Sequence, residues 1–518
     1  MQSETLARTL QDFISDSRNA VVIEDGAVTF DLERAKYSIS SEHGKCLVHF
    51  WSEERNSVRR GTDAELKNGV LRLAVLRFGQ TRPSKIDICR ERDRRTPSAR
   101  KVSRAAYQQH LRRVLERNFP GFVLAGLTSA MDLERSFGPV YARGLLRKGC
   151  SAFAVLGVNG QELQGSIDAS LTFAVLWLNA CRESQAAFQV EGVKVFVPPG
   201  TAGVVRERMA HLHSQAAKWH LYELQERDES IHQLDVADRG NLATRLVRCI
   251  DESAVRARFE ESIARIRKIC RDVEIGVIST AEVAFRYRGL EFARARLTTE
   301  PGTFSNVQEI VFGVGPQEAP LTNQNAPEFV NLLRVLIESR QSQGPRHQTL
   351  WRVHPERWLE ALVLEDVTAI DGNLDPTQVY SQVPAFAAAD RAMVDVLGVT
   401  RAGQLAVIEL KAEEDIHLPL QGLDYWARVK WHQARNEFQK FGYFPDRQFS
   451  EEAPLLMLVA PALHIHPATD ILLHYLSPEI RWTLVGIDER WREAVRVVFR
   501  KRSAVRSPEY VTAQAGAG

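Results

Sequence analysis

The chain has 518 residues, of which 44% are hydrophobic and 25% charged, and a formal net charge of +2. That balance excludes a disordered polyelectrolyte and a polycation that binds nucleic acid indiscriminately, and the length predicts two or three domains rather than one core. The longest apolar run, Leu171 to Leu178, is too short for a bilayer and no N-terminal signal pattern is present, so a cytoplasmic protein without membrane contact is expected.

Residues 1–90 contain apolar runs at Ala20–Ile23, Cys46–Trp51 and Val70–Leu76, which predict a β-rich start. From Arg90 to Lys101 basic residues dominate a stretch that also holds Pro97 and Ser98. It reads as a solvated linker or as a loop that tracks phosphates. Residues 104–225 predict an α/β region, with a helix over Tyr107–Asn118 and strands at Ala152–Val158 and Val193–Val197. Glu162 and Asp168 raise the idea of a second, decayed catalytic fold here, but no Glu-x-Lys follows them and no internal repeat stands out.

The next region, 226–340, is expected to connect two domains. Its first part, to about 272, is highly charged and reads as helical, with Phe259, Ile263, Ile266 and Ile269 near a 3.6-residue period. That face either packs on a neighbouring element or forms a dimer seam, so a homodimer stays open. Arginines at 286, 288, 294 and 296 alternate with apolar residues, as in a strand that presents guanidinium groups to phosphates or one with an ordinary charged face. Gln341 to Arg346 reads as a linker.

The six cysteines have no close pairs, so neither a zinc ribbon nor a disulfide framework is predicted and all six read as buried apolar residues. The pairs His211/His213 and His464/His466 lack a Cys or carboxylate at ligand spacing.

The richest segment lies in 346–502. Pro355–Glu365 predicts an amphipathic helix that carries Glu360, with proline and acid near its start. Two Val/Ile/Leu-rich runs, one with Asp395 and one with Glu409 and Lys411, flank Thr400-Arg-Ala-Gly403 and predict a β-hairpin. If Arg401–Gly403 form a three-residue loop, Asp395 falls opposite Glu409; a shorter or longer loop shifts the pairing by one place. Glu409 and Lys411 share one face of their strand because side chains alternate. A surface hairpin with an ordinary Glu/Lys pair is the alternative. Against it, Val407, Ile408, Leu410 and Ala412 are apolar, and charges in such a strand are costly unless paired or bound to metal. A helix follows from Leu418, with Gln421 and Tyr425 one turn apart and Arg428 further along, and then a strand at Leu455–Ala460.

This order of Glu-bearing helix, Asp strand, Glu-x-Lys strand and Gln-x-x-x-Tyr helix resembles the PD-(D/E)XK nuclease superfamily, with its restriction-endonuclease-like αβββαβ core and mixed sheet. The Gln421/Tyr425 pair is similar to the motif in the exonuclease domains of recombination helicases and in related single-strand endonucleases. The resemblance covers roughly residues 350–490, and Val394 stands where the family often has proline. It implies an α/β, multidomain nuclease that acts on DNA, with RNA left open. Asp395 and Glu409, completed by Glu360 through water, would ligate Mg²⁺, or Mn²⁺ as its substitute. Lys411 would orient the attacking water or stabilise charge on the phosphate, and Gln421, Tyr425 and Arg428 would position the helix or contact nucleic acid. A catalytically inactive nucleic-acid-binding or scaffold protein that retains the fold is the second reading. No phosphate-binding Gly-x-x-x-x-Gly-Lys-Ser/Thr loop occurs, so any motor must be a separate partner, and a defence partner also stays open. Residues 503–518 predict a disordered tail.

Overall fold

The computed structural model describes residues 3–503 except 16, 18–19, 25–26, 33–34, 43–44, 52–55, 68–69, 77–82, 91–96, 185–187, 238–241, 243, 300–305, 315–317 and 387–390. The expected tail beyond Ser503, and the centre of the basic stretch after Arg90, lie outside the described residues. Helices and several sheets alternate along a multidomain α/β chain. No described helix is long and apolar enough to cross a membrane.

Seven antiparallel strands between Val21 and Cys89 form the first sheet. The amphipathic helix Ser3–Ser15 packs on it through Leu6, Leu10, Phe13 and Ile14. A second, five-stranded sheet spans Glu274–Pro320 and is covered by Glu252–Arg258, Glu260–Arg267 and Ala326–Ser339. Phe259, Ile263 and Ile266 are buried under this sheet, so the periodic face packs within the chain; Ile269 is exposed. The expected continuous helix over 226–272 is not formed. Ser230–Leu234 is a strand, the two helices break at Phe259, and Arg245–Leu246 pairs with the backbone at Phe386 and Ala385.

The rest of the fold consists of two modules built on one plan. The upstream module runs α1 (Pro97–Asn118), β1 (Val123–Thr128), β2 (Tyr141–Lys148), β3 (Ser151–Val158), α2 (Ser170–Ser184), β4 (Gln189–Val197), α3 (Gly203–Met209), β5 (Lys218–Gln225) and β6 (Ser230–Leu234). The downstream module runs α4 (Pro355–Glu365), β7 (Tyr380–Phe386), β8 (Arg391–Val399), β9 (Leu405–Leu410), α5 (Leu418–Gln433), β10 (Leu455–Pro461), α6 (Ala468–His474), β11 (Trp482–Ile487) and β12 (Val497–Arg502). In each, three antiparallel strands are followed by two parallel ones and a final antiparallel edge, in sequential order across the sheet. α1 and α4 cover one face of their sheets. α2 and α5 cover the other, where the two modules share a single apolar core. No repeat is convincing in the amino-acid order, beyond the idea raised at Glu162 and Asp168, because the common feature is topology, with few matched side chains beyond Pro198/Pro461 after or at the end of β4/β10 and Trp219/Trp482 at the start of β5/β11. The basic segment differs from its expectation as well: from Pro97 to Lys101 it is the first turn and more of α1.

Four of the cysteines, Cys46, Cys89, Cys181 and Cys270, are buried as expected, Cys249 is half-buried, and Cys150 is exposed at the turn between β2 and β3. All six are free thiols.

Candidate active site

The β8–β9 turn sets the geometry. The Thr400 N–H donates to the Gln404 carbonyl at 2.8 Å and the Gly403 N–H to the Thr400 carbonyl at 2.9 Å. Gly403 has φ +86°, which a residue without Cβ adopts at little cost, so Arg401–Gly403 form a three-residue loop. Val396 then pairs with Ile408, which sets Asp395 opposite Glu409.

Glu409 is 2% exposed on a strand whose other residues are all buried. Its carboxyl group stands within hydrogen-bonding reach of Asp395, and its Oε2 is buried without a hydrogen-bond partner among the described residues. The Leu410 N–H donates to Asp395 Oδ2 at 3.1 Å. Burial first, and then the Asp395 charge, push the Glu409 carboxyl well above the usual carboxylate range. A buried carboxylate such as Glu409 facing the half-buried Asp395 is stabilised by a proton or a cation between the two.

Lys411 lies on the same face, its Nζ 3.4 Å from Glu409 Oε1 and 3.7 Å from Asp415 Oδ2. Burial alone would lower its ammonium, but Glu409, Glu356 and Asp415 outweigh that and hold it above the ordinary lysine value. It stays charged at neutral pH.

Glu360 is buried on α4 close enough to Asp395 for its charge to be felt. Both its oxygens are engaged: Gln382 Nε2 donates to each at 3.1 Å, and Arg357 Nη1 to Oε2 at 2.8 Å. Gln382 was not foreseen. It sits in β7 across from Asp395 with φ +50°, a left-handed conformation that a non-glycine strand residue adopts only under constraint. The sequence carries no signal for it, because the bend depends on the neighbouring strand. Asp415, which steadies Lys411, was also missed.

On α5, Gln421 is half-buried and its Oε1 has no hydrogen-bond partner among the described residues; Tyr425 is half-buried on the same side of the helix. Gly422 lets α5 approach the sheet: a Cβ there would lie 2.6 Å from Leu458 Cδ2 and 3.7 Å from the Glu409 Cβ. Of the two roles expected for Arg428, its surroundings fit positioning of the helix rather than a nucleic-acid contact. It is 5% exposed, donates to the Asp424 carbonyl and points 3.6 Å from Glu207 on α3, so it joins the two modules.

Asp395 and Glu409 fit a hard divalent cation as a pair of carboxylates with an unpartnered buried oxygen. Among the described residues no group of three or more His, Cys, Asp and Glu side chains is arranged to hold a metal ion. Glu360 therefore belongs outside the ligand pair, tied to Arg357 and Gln382. The histidine pairs also serve other ends: His464 and His466 face Glu489 and Glu414, and His211 packs edge-on against Trp426. The arginine cluster at 286–296 is consumed within its own sheet, with Arg286 and Arg294 on Glu291, Arg296 on Glu309, and Arg288 donating to the Arg340 carbonyl. These guanidinium groups are paired with carboxylates and a carbonyl, although Arg296 remains exposed.

No protein-family model and no curated protein matches this chain.

Proposed function

We propose that the protein is a metal-dependent nuclease that hydrolyses phosphodiester bonds of DNA at Asp395, Glu409 and Lys411. The observation that carries this reading is the buried Glu409 oxygen without a donor, set against Asp395 and beside a charged lysine. A structural ion pair would satisfy both carboxylates, whereas a cation site leaves oxygens to be filled.

A bound Mg²⁺ or Mn²⁺ supplies neutralisation of phosphate charge and a more acidic water. The chain's own residues do the rest. Asp395 and Glu409 hold the cation, and the Leu410 N–H fixes the Asp395 carboxylate in place. Lys411, kept protonated and tethered by Asp415, donates to the attacking water or to the phosphate oxygen on which charge develops. Glu360 acts by position: its clamp on Gln382 holds β7 against Asp395. Gln421, with its buried carbonyl unpartnered among the described residues, and Tyr425 on the same side of α5 would position the helix beside the site.

The second reading, a nucleic-acid-binding or scaffold protein without cleavage, draws on the lack of a three-ligand cluster among the described residues. Calorimetric titration with Mn²⁺ separates the two. The nuclease reading expects binding that disappears in Asp395→Asn, together with Mn²⁺-dependent cutting that disappears in Lys411→Ala. No site-dependent binding supports the scaffold.

A further inference from the structure

The two modules meet about a pseudo-two-fold axis. Leu212, just after α3, and Leu476, just after α6, form an antiparallel bridge with each other. Reciprocal bonds flank it: the His213 N–H donates to the Tyr475 carbonyl at 2.8 Å and the Ser477 N–H to the His211 carbonyl at 2.9 Å. Around this point α2 packs on α6 while α5 packs on α3, and each of those pairs exchanges equivalent elements. Such reciprocity is the mark of an isologous interface, formed here within one chain. Charged ties reinforce it, with Arg208 of α3 on Asp424 of α5 at 2.6 Å, and Arg182 of α2 donating to the Tyr475 hydroxyl at 3.0 Å.

Strand register gives the residue correspondence. Glu409 pairs with Leu458 and Leu156 with Val195, three residues before Pro461 and Pro198 respectively. Leu156 therefore occupies the Glu409 position and Val158 that of Lys411. The residue across from Leu156 is Arg143, in the place of Asp395. With the starts of α2 and α5 aligned, Phe173 and Trp177 replace Gln421 and Tyr425.

The upstream site has thus lost every ligand and gained a fixed cation. Arg143 is 2% exposed, its guanidinium lies 4.5 Å from the Phe137 ring centroid, and it donates to the carbonyls of Gly138 and Ala130 at 3.1 and 2.5 Å. A divalent ion is excluded there by both charge and packing. The two positions are nevertheless neighbours. From Lys411 the path runs through Asp415 to His417, whose Nδ1 is 3.1 Å from the Thr172 hydroxyl. The His417 ring lies 5.7 Å from Phe173, which packs on Phe137 beneath Arg143.

We infer, resting on the nuclease reading, that one chain is a self-contained pseudo-dimer that nicks duplex DNA, cutting one strand and leaving the other intact. The strands of a duplex are related by two-fold axes, so a two-fold pair of like modules brings the same element to each strand. Here one strand meets Asp395, Glu409 and Lys411. Its partner is left to the upstream module, where the equivalent position is the buried Arg143 and supplies no ligand. Hydrolysis adds one water across one P–O bond, leaving a phosphate and a hydroxyl at a single break.

The test is cleavage of supercoiled plasmid by the full chain with Mn²⁺, read alongside calorimetric titration of the ion alone. Open circles are expected to accumulate and persist, with linear DNA absent until the supercoiled form is exhausted, and Asp395→Asn is expected to abolish all site-specific ion binding. Linear DNA that appears together with the loss of supercoil overturns the inference, as does cutting confined to single strands. So does ion binding that survives Asp395→Asn at unchanged affinity. The nuclease reading itself falls on a different result, namely no cutting of any form or full cutting by Lys411→Ala.

Discussion

At the scale of single residues, the chemistry rests on a carboxylate that burial and a like charge have made reluctant to ionise. Glu409 has a native pKa raised above its ordinary value. Its contribution to stability is therefore fully present below the ordinary carboxylate pKa and is lost as pH rises through the native value. A cation substitutes for the proton, so ion binding releases protons and strengthens with pH. The rise in melting temperature produced by Mn²⁺ is expected to grow from about pH 6 to about pH 8. Glu409→Gln keeps the shape and removes the charge; in the absence of ions it is expected to melt higher than the parent at about pH 8, and to lose the Mn²⁺ response. On the proposed nuclease reading, Lys411→Ala is expected to lower cleavage on the order of 100-fold or more with unchanged circular dichroism, since it would remove a donor aimed at developing charge. Asp395, Glu409 and Lys411 were legible in the sequence because carboxylates and lysine on an apolar strand demand an explanation. Gln382 and Asp415 were not, because their roles come from a strained strand and a loop that approach from elsewhere.

At the scale of elements, the hairpin turn and the helix above it fix the site to within a side chain. Gly403 allowed a three-residue loop without requiring it; the structure adopts that loop, and register follows from it. The close approach of α5 was not readable: Gly422 looks like any helical glycine until Leu456 and Leu458 are placed beneath it. Gly422→Val is expected to push α5 from β9 and β10, costing about 1–3 kcal/mol and lowering activity with it. Thermal melts beside cleavage rates check both. Charge content misled over the first part of 226–272, where a helix was expected but Ser230–Leu234 completes a sheet edge; the periodic residues Phe259, Ile263 and Ile266 do lie on or beside helices. Pairing partners override local propensity in strands of this kind.

At the scale of the whole molecule, the shared core between the modules makes them one unit. Arg208 is buried and bidentate on Asp424, with Nε and Nη2 both engaged. Arg208→Ala leaves Asp424 partly buried without its cation, a loss of about 3 kcal/mol at most given the remaining exposure. Urea denaturation of this variant is expected to separate into two transitions, where the parent shows the modules unfolding together. Arg428, expected either to contact nucleic acid or to position the helix, lies at this interface, because α5 turns that side toward α3.

The sequence by itself determined the hairpin and the identity of the carboxylate–lysine group, since these depend on side-chain alternation and a glycine-containing turn; the structure chose the register among those the loop length left open. It also determined that the protein is multidomain and α/β, through length and apolar spacing. Only the tertiary structure decided that the upstream region repeats the downstream plan about a two-fold axis, with Arg143 where Asp395 would be. A repeat of topology is written in strand pairing and helix packing, which tolerate nearly any apolar residue, and so leaves almost no trace in the order of amino acids.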